Sequence, residues 1–196
     1  MKKIYTFVMS VLAAAVSGKL TEDWRQSADH FDVTSQIEAI LTDRQTISGN
    51  KKKPVNHLIN EEYEIPFGWE WVSLDALSAK IVDGTHHTPT YVEKGVPFIS
   101  VKDIKKGNID FSDTKFITKE EHEELCKRCN PEIGDLLITK SGTIGRTAIV
   151  NTENEFSLFV SVALIKPASK KCNMHFINLA LKKWVNEIDV SSRIVG

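Results

Sequence analysis

The chain has 196 residues, 41% hydrophobic and 26% charged, which suits one domain with appendages or two small domains around an apolar core. Its formal net charge of −1 argues against a nucleic-acid binder held by bulk positive charge, although a local basic rim can act while acidic residues elsewhere cancel the total. Three cysteines, an odd number, argue against a disulfide framework.

Met1-Lys-Lys followed by an apolar run through Val16 has the outline of a secretory signal. Phe7, Val8, Val11, Leu12, Ala15 and Val16 also fall at helical spacing, as on a packed helix. Gly18 beside Lys19 would stop that helix. Composition alone leaves the two readings close. No other stretch is long enough to span a membrane. Lys19 to Arg25 is polar with one large aromatic, Trp24, like a chain exit. Ser35-Gln-Ile-Glu38 predicts a capping box for a short helix with an Ile37, Ile40, Leu41 stripe, ending near Gly49. Asn50-Lys-Lys-Lys-Pro54 reads as a basic linker, either a solvated spacer or a neighbour of an acidic partner.

From Ile65 the texture changes. Ile65-Pro-Phe-Gly-Trp-Glu-Trp-Val72 predicts a turn running into a strand, with Trp69 and Trp71 on one face. Asp83-Gly-Thr-His-His-Thr-Pro89 reads as a loop. Its Thr85, His86 and His87 fit a polar recognition loop or a simple surface loop. Adjacent histidines point apart on an extended chain and lack a third ligand at metal spacing. Val96 to Val101 predicts a buried strand, and Lys102 to Gly107 a turn before Ile109-Asp-Phe111. Thr118-Lys-Glu-Glu121 is a second capping box, opening a helix that Asn130-Pro131 ends. Its carboxylates Glu120, Glu121, Glu123 and Glu124 suit a solvated face.

The stretch that organises the chain is Gly134 to Val150. Short β-branched apolar runs bounded by glycine predict two strands around a polar turn. The turn holds Lys140, Ser141, Gly142, Thr143, Gly145 and Arg146, with a cation at each end as a phosphate-contacting loop needs. A solvated hairpin turn is the alternative. No phosphate-cradling Gly-Lys-Ser/Thr spacing follows, and Gly142-Thr-Ile-Gly145 matches the four-residue clamp of one RNA-binding fold only weakly. Leu158 to Lys166 predicts a long strand closed by Pro167.

Cys126-x-x-Cys129 and Cys172-x-x-His175 invite a zinc site, but the long gap between them and a helix end at Cys126 favour free thiols, so no metal is expected. Met174, Ile177, Leu181, Trp184 and Ile188 repeat at three-four spacing, a helical seam suited to a partner helix. No Gly-rich cofactor loop and no catalytic carboxylate or Cys–His pairing stands out, so no cofactor is expected.

Ser10 to Arg25 looks like the end of a spacer helix in DNA specificity subunits of type I restriction–modification systems. Four further stretches resemble that family's target recognition domain, in the family's order: Ile65 to Trp71, Asp83 to Pro89, Val96 to Asp103, and Gly134 to Arg146. The resemblance covers nearly the whole chain, and it favours a spacer helix over a signal at the N-terminus. It implies an α+β fold: a mixed, strongly twisted sheet flanked by spacer helices packing as an antiparallel pair. The implied division is 1–22 for the end of a spacer helix, 23–64 for a linker with a short helix, 65–171 for the target recognition domain, and 172–196 for the start of a second spacer helix.

The implied function is non-catalytic and cytoplasmic. A target recognition domain reads one half of a split site in double-stranded DNA, spacer helices dock methyltransferase subunits, and the restriction subunit joins the assembled complex. Lys140 and Arg146 are then expected at phosphates, and Ser141, Thr143, Thr85, His86 and His87 at the groove. Ile177, Leu181, Trp184 and Ile188 are expected at the partner. Family members carry two recognition domains and two spacers, whereas each motif occurs here once. The chain would be a fragment, a truncated product, or a half-subunit acting as a homodimer. A secreted α/β protein with a signal peptide and an unknown ligand is the alternative, and a zinc-stabilised interaction module is a third.

Overall fold

The computed structural model describes residues 2–27, 32–48, 54 and 64–187. Its elements are α1 (Lys2–Val16), α2 (Glu22–Ser27), α3 (Val33–Ser48), β1 (Ser78–Asp83), β2 (Val96–Ile99), β3 (Ile104–Lys105), β4 (Asn108–Ile109), β5 (Lys115–Ile117), α4 (Lys119–Cys126), β6 (Leu136–Thr139), β7 (Thr147–Ile149), β8 (Ser157–Leu158), β9 (Val162–Pro167) and α5 (Met174–Glu187). The fold is α+β. The chain divides into two compact units, 1–79 with 168–196, and 80–167.

The first unit carries α1, α2, α3 and α5, with a non-helical segment over residues 64–77. α1 ends as expected: Gly18 adopts φ 79°, and a Cβ there would stand 2.8 Å from Pro66 Cγ. The apolar stripe of α1 is only partly covered within the described residues, with Val16 buried and Phe7 66% exposed. α1 packs on α5. Val16 in the last turn of α1 and Ile177, Leu181 and Trp184 of α5 line one cavity. Lys19–Thr21 forms a 3-10 turn leading into α2, so the expected chain exit is instead helical.

α3 begins one turn before the expected capping box. Asp32 Oδ1 accepts from Ser35 N at 2.9 Å, so Asp32 takes the cap that Ser35 was expected to hold. Buried Arg44 ties α3 down by donating from Nε to the carbonyl of Ser78 at 2.9 Å. Trp69 and Trp71 do not lie on a strand. Pro66 and Phe67 lead into a turn at Gly68, with φ 78°, and Trp69 packs edge-on against Phe176 of α5 at 5.6 Å and 87°.

The second unit carries the sheets. A four-stranded sheet has the order β1-β9-β6-β7, and a three-stranded sheet the order β5-β2-β8. β6 pairs antiparallel with β7, Leu137 opposite Ala148, and with β9, Leu137 opposite Leu164. β6 is a central strand whose successive side chains are buried or half-buried on both faces, which fits its continuous hydrophobicity. Ile99, Ile104, Leu137, Val150, Leu158 and Leu164 belong to one core cluster.

The expected strand from Leu158 to Lys166 is broken in two. Phe159 N donates to Ile99 O at 2.9 Å, Val160 N to Thr85 O at 2.9 Å, and β9 begins only at Val162. The chain leaves one sheet and enters the other there, and the interruption serves both. Within the segment 102–107, expected as a turn, Lys102 and Asp103 end a 3-10 turn, and Ile104–Lys105 pairs with Asn108–Ile109 in a small hairpin around Lys106 (φ 51°) and Gly107 (φ 84°).

α4 starts as expected, with Thr118 Oγ1 accepting from Glu121 N at 3.2 Å. Cys126 and Cys129 belong to the second unit, Cys172 and His175 to the first. No group of three or more potential metal ligands forms among the described residues. Burial raises the Cys129 thiol to about 11.

Candidate nucleic-acid interface

Two loops carry the candidate residues, both in the second unit. The central turn between β6 and β7 is braced from inside. Buried Thr139 donates from Oγ1 to Thr143 O at 2.6 Å and accepts from Arg146 N at 2.9 Å. Its carbonyl accepts from Gly145 N at 2.8 Å. Gly142 and Gly145 lie at φ 71° and 79°, where glycine alone is unstrained. Lys140, Ser141, Gly142, Thr143 and Arg146 are presented at the surface of the turn as a result. One hydroxyl at the strand end shapes the whole loop.

The loop from Asp83 to Pro89 is pinned just as firmly. Thr85 makes a parallel bridge to Phe159, its N donating to Leu158 O at 2.8 Å. Gly84 passes so close that a Cβ there would lie 2.2 Å from Leu158 O. Arg128 donates from Nη2 to the carbonyls of Asp83 at 2.8 Å and Gly84 at 2.6 Å. Thr85, expected at the groove, is buried: its hydroxyl lies 2.7 Å from His87 Nδ1. His86 and His87 are exposed, and His87 Nε2 lies 3.6 Å from Glu121 Oε1. Beneath them is a cavity of about 350 Å³ lined by Thr85, His86, His87, Leu125, Arg128 and Leu158 among others.

The two loops meet. Lys140 Nζ is hydrogen-bonded to Asp83 Oδ2, and the same oxygen lies 3.7 Å from His86 Nε2. Lys140 is thus paired in the protein itself. Arg146 also leans on the β3 segment, with Nη1 3.5 Å from Ile104 O. The structure brings Lys140 and His86 together at Asp83, turns His87 towards Thr85 and Glu121, presents Ser141, Thr143 and Arg146 beside Lys140 in one turn, and places Thr85 underneath as a support.

A Cys–His contact, which the sequence did not announce, also emerges. Cys126 Sγ lies 3.5 Å from His122 Nε2 on α4, and His122 Nδ1 lies 2.9 Å from Ser157 Oγ. Burial pushes the Cys126 thiol up and the His122 imidazole down. A neutral pair of this kind is a packing element rather than a nucleophile and its base. The i, i+4 spacing of His122 and Cys126 was the available signal.

A family model described as the type I restriction modification DNA specificity domain matches residues 68–195. The chain belongs to this family. The specificity subunit of the type I restriction enzyme EcoBI, from Escherichia coli, is 27% identical over 182 residues, covering 91% of this chain and 33% of that protein. The chain thus spans about a third of that relative's length. The HsdS subunit from Thermoanaerobacter tengcongensis, a solved structure, aligns over 95% of this chain and 42% of its own, at 16% identity and TM-score 0.49. A chain from a structure described as "Structural basis underlying complex assembly and conformational transition of the type I R-M system" aligns over 92% and 42%, at 15% identity and TM-score 0.49. Both candidate loops of this specificity-family chain, and all of α5, fall inside the matched residues. The secreted alternative is not favoured by these findings.

Proposed function

We propose that this chain reads one half-site of double-stranded DNA as a non-catalytic module of a type I restriction–modification complex. The observation that carries the reading is the meeting of two polar surface loops, His86 and His87 from one and Lys140 to Arg146 from the other, on a rigid sheet. Loops on a rigid scaffold are where recognition residues usually sit. Lys140 and Arg146 supply phosphate contacts, while Ser141, Thr143, His86 and His87 offer short polar groups to base edges. Methyl transfer and strand cleavage belong to partner subunits, in the cytoplasm where chromosomal DNA lies.

The α5 seam divides in two. Ile177 is buried against its own unit, whereas Trp184 is 47% exposed and Leu181 half-buried beside a cavity of about 520 Å³. Ile188 lies outside the described residues. We assign Trp184 and Leu181 to docking of the methyltransferase subunit, and the restriction subunit joins through that assembly. Co-purification with the methyltransferase subunit tests this. Trp184→Ala should weaken the association about tenfold or more, as loss of an interface tryptophan does. Trp184 is about half-covered within its own unit, so the urea midpoint of each variant is measured alongside to separate lost association from lost folding. Equal recovery of wild type and Trp184→Ala would make the seam an internal packing face.

A further inference from the structure

We propose that Asp83 is a positioning residue for recognition, which holds Lys140 away from non-specific phosphate contacts until the correct sequence is engaged. This rests on the DNA-reading function proposed above. Asp83 ends β1 and Lys140 opens the central turn, so their ion pair ties together two loops that are distant in the sequence. The Asp83 backbone cannot drift, because its carbonyl accepts from Arg128 at 2.8 Å. Gly84 behind it is wedged against Leu158. The carboxylate is therefore a fixed anion, with 30% of its side chain exposed, set against a cation with 41% of its side chain exposed.

The neighbouring cations are held in the same way. Lys102 pairs with Asp113 at 3.1 Å, and Lys105 with Asp110 at 2.8 Å. These lysines lie on the segment that flanks the central turn: a Cβ on Gly142 would touch Val101 at 3.4 Å, and Arg146 reaches Ile104. A DNA reader that must ignore most sequences gains from weak bulk attraction, since the competing non-specific sites are very numerous. Pairing each of these lysines with a carboxylate achieves that, and it agrees with the formal net charge of −1. Lys140 is the member whose carboxylate also faces a recognition histidine, with His86 Nε2 3.7 Å away. Transfer of Lys140 from Asp83 to a phosphate thus frees the carboxylate beside His86 and couples backbone contact to loop rearrangement.

The test compares wild type, Asp83→Asn, Lys140→Ala and the double variant, each in the complex with the methyltransferase subunit. Binding to the preferred duplex and to a random duplex is followed by fluorescence anisotropy over a range of salt concentrations. Asp83→Asn should bind random DNA about two- to fivefold tighter, the size of an exposed ion pair released. Its salt slope should steepen by about 0.9, the value of one more phosphate contact, and its preference ratio should shrink. The double variant should return to the behaviour of Lys140→Ala, because the two residues act through one pair. Equal weakening of Asp83→Asn on both duplexes would make the aspartate a structural support and overturn the proposal. So would a change of preferred base at a single position, since Asp83 would then read a base directly. If wild type shows no preference for any duplex, the DNA-reading function itself fails and this inference falls with it. If preference is intact in wild type and unchanged in Asp83→Asn, only the inference fails.

Discussion

Gly84→Ala should destabilise the sheet unit by about 3 kcal/mol, the upper end of what forcing one extra methyl group into packed structure costs. The added Cβ would lie 2.2 Å from Leu158 O, and Leu158 C is only 2.3 Å away. Neither neighbour is the flexible tip of a side chain. Leu158 O already accepts from Thr85 N at 2.8 Å, and Gly84 N donates to Val162 O at 3.1 Å, so the strain falls on the junction of both sheets. A urea titration measures it. The midpoint should drop with the slope unchanged, and the folded remainder should lose preference for its duplex. An unchanged midpoint would mean that the loop does not pass so tightly against Leu158.

The second large effect concerns the division of labour within the central turn. Thr143→Val should cost about 1–3 kcal/mol on the preferred duplex and little on random DNA, because a base-edge contact carries discrimination. Lys140→Ala should weaken binding to the preferred duplex and lower its salt slope by about 0.9, with little change on random DNA, where Asp83 holds the lysine. The turn's shape survives both changes, since Thr139 braces it through the Thr143 carbonyl and the Arg146 amide rather than through either replaced side chain. Salt-dependent anisotropy on paired duplexes separates the outcomes. Uniform loss with Thr143→Val, together with altered base preference in Lys140→Ala, would reverse the two roles.

The elements that are legible in the sequence are those whose cause is local. The β6–β7 hairpin follows from apolar runs with glycines on either side, α4 from Thr118, and α5 from its three-four spacing. Where expectation and structure part, the cause is non-local. The Trp69–Trp71 segment alternates like a strand, but an aromatic contact to Phe176 decides its place. The break between β8 and β9 answers to Ile99 and Thr85, far away in the chain. β1 carries no clear strand signal, because Ser78 to Asp83 lacks clean alternation and its burial is mixed along its length.

The candidate site behaves similarly. Its residue types are visible in the chain as a polar turn and a polar loop, so His86, His87, Lys140, Ser141, Thr143 and Arg146 follow from residue type and position alone. Their assembly does not. The ion pair from Lys140 to Asp83, the Arg128 clamp on two carbonyls, and the burial of Thr85 all join positions well separated in sequence. A resemblance to a family can order the motifs, but only tertiary contacts say which side chain supports and which is free to read.

Selection of duplexes from a randomised pool tests the reading of a half-site most directly. The complex of this chain with the methyltransferase subunit is used, first as wild type and then with Ser141 and Thr143 both replaced by alanine. A fixed run of bases should be enriched by the wild type and erased in the variant, with general affinity retained through Arg146. Enrichment of the same run by both proteins, or of no run by the wild type, would contradict sequence reading by this turn.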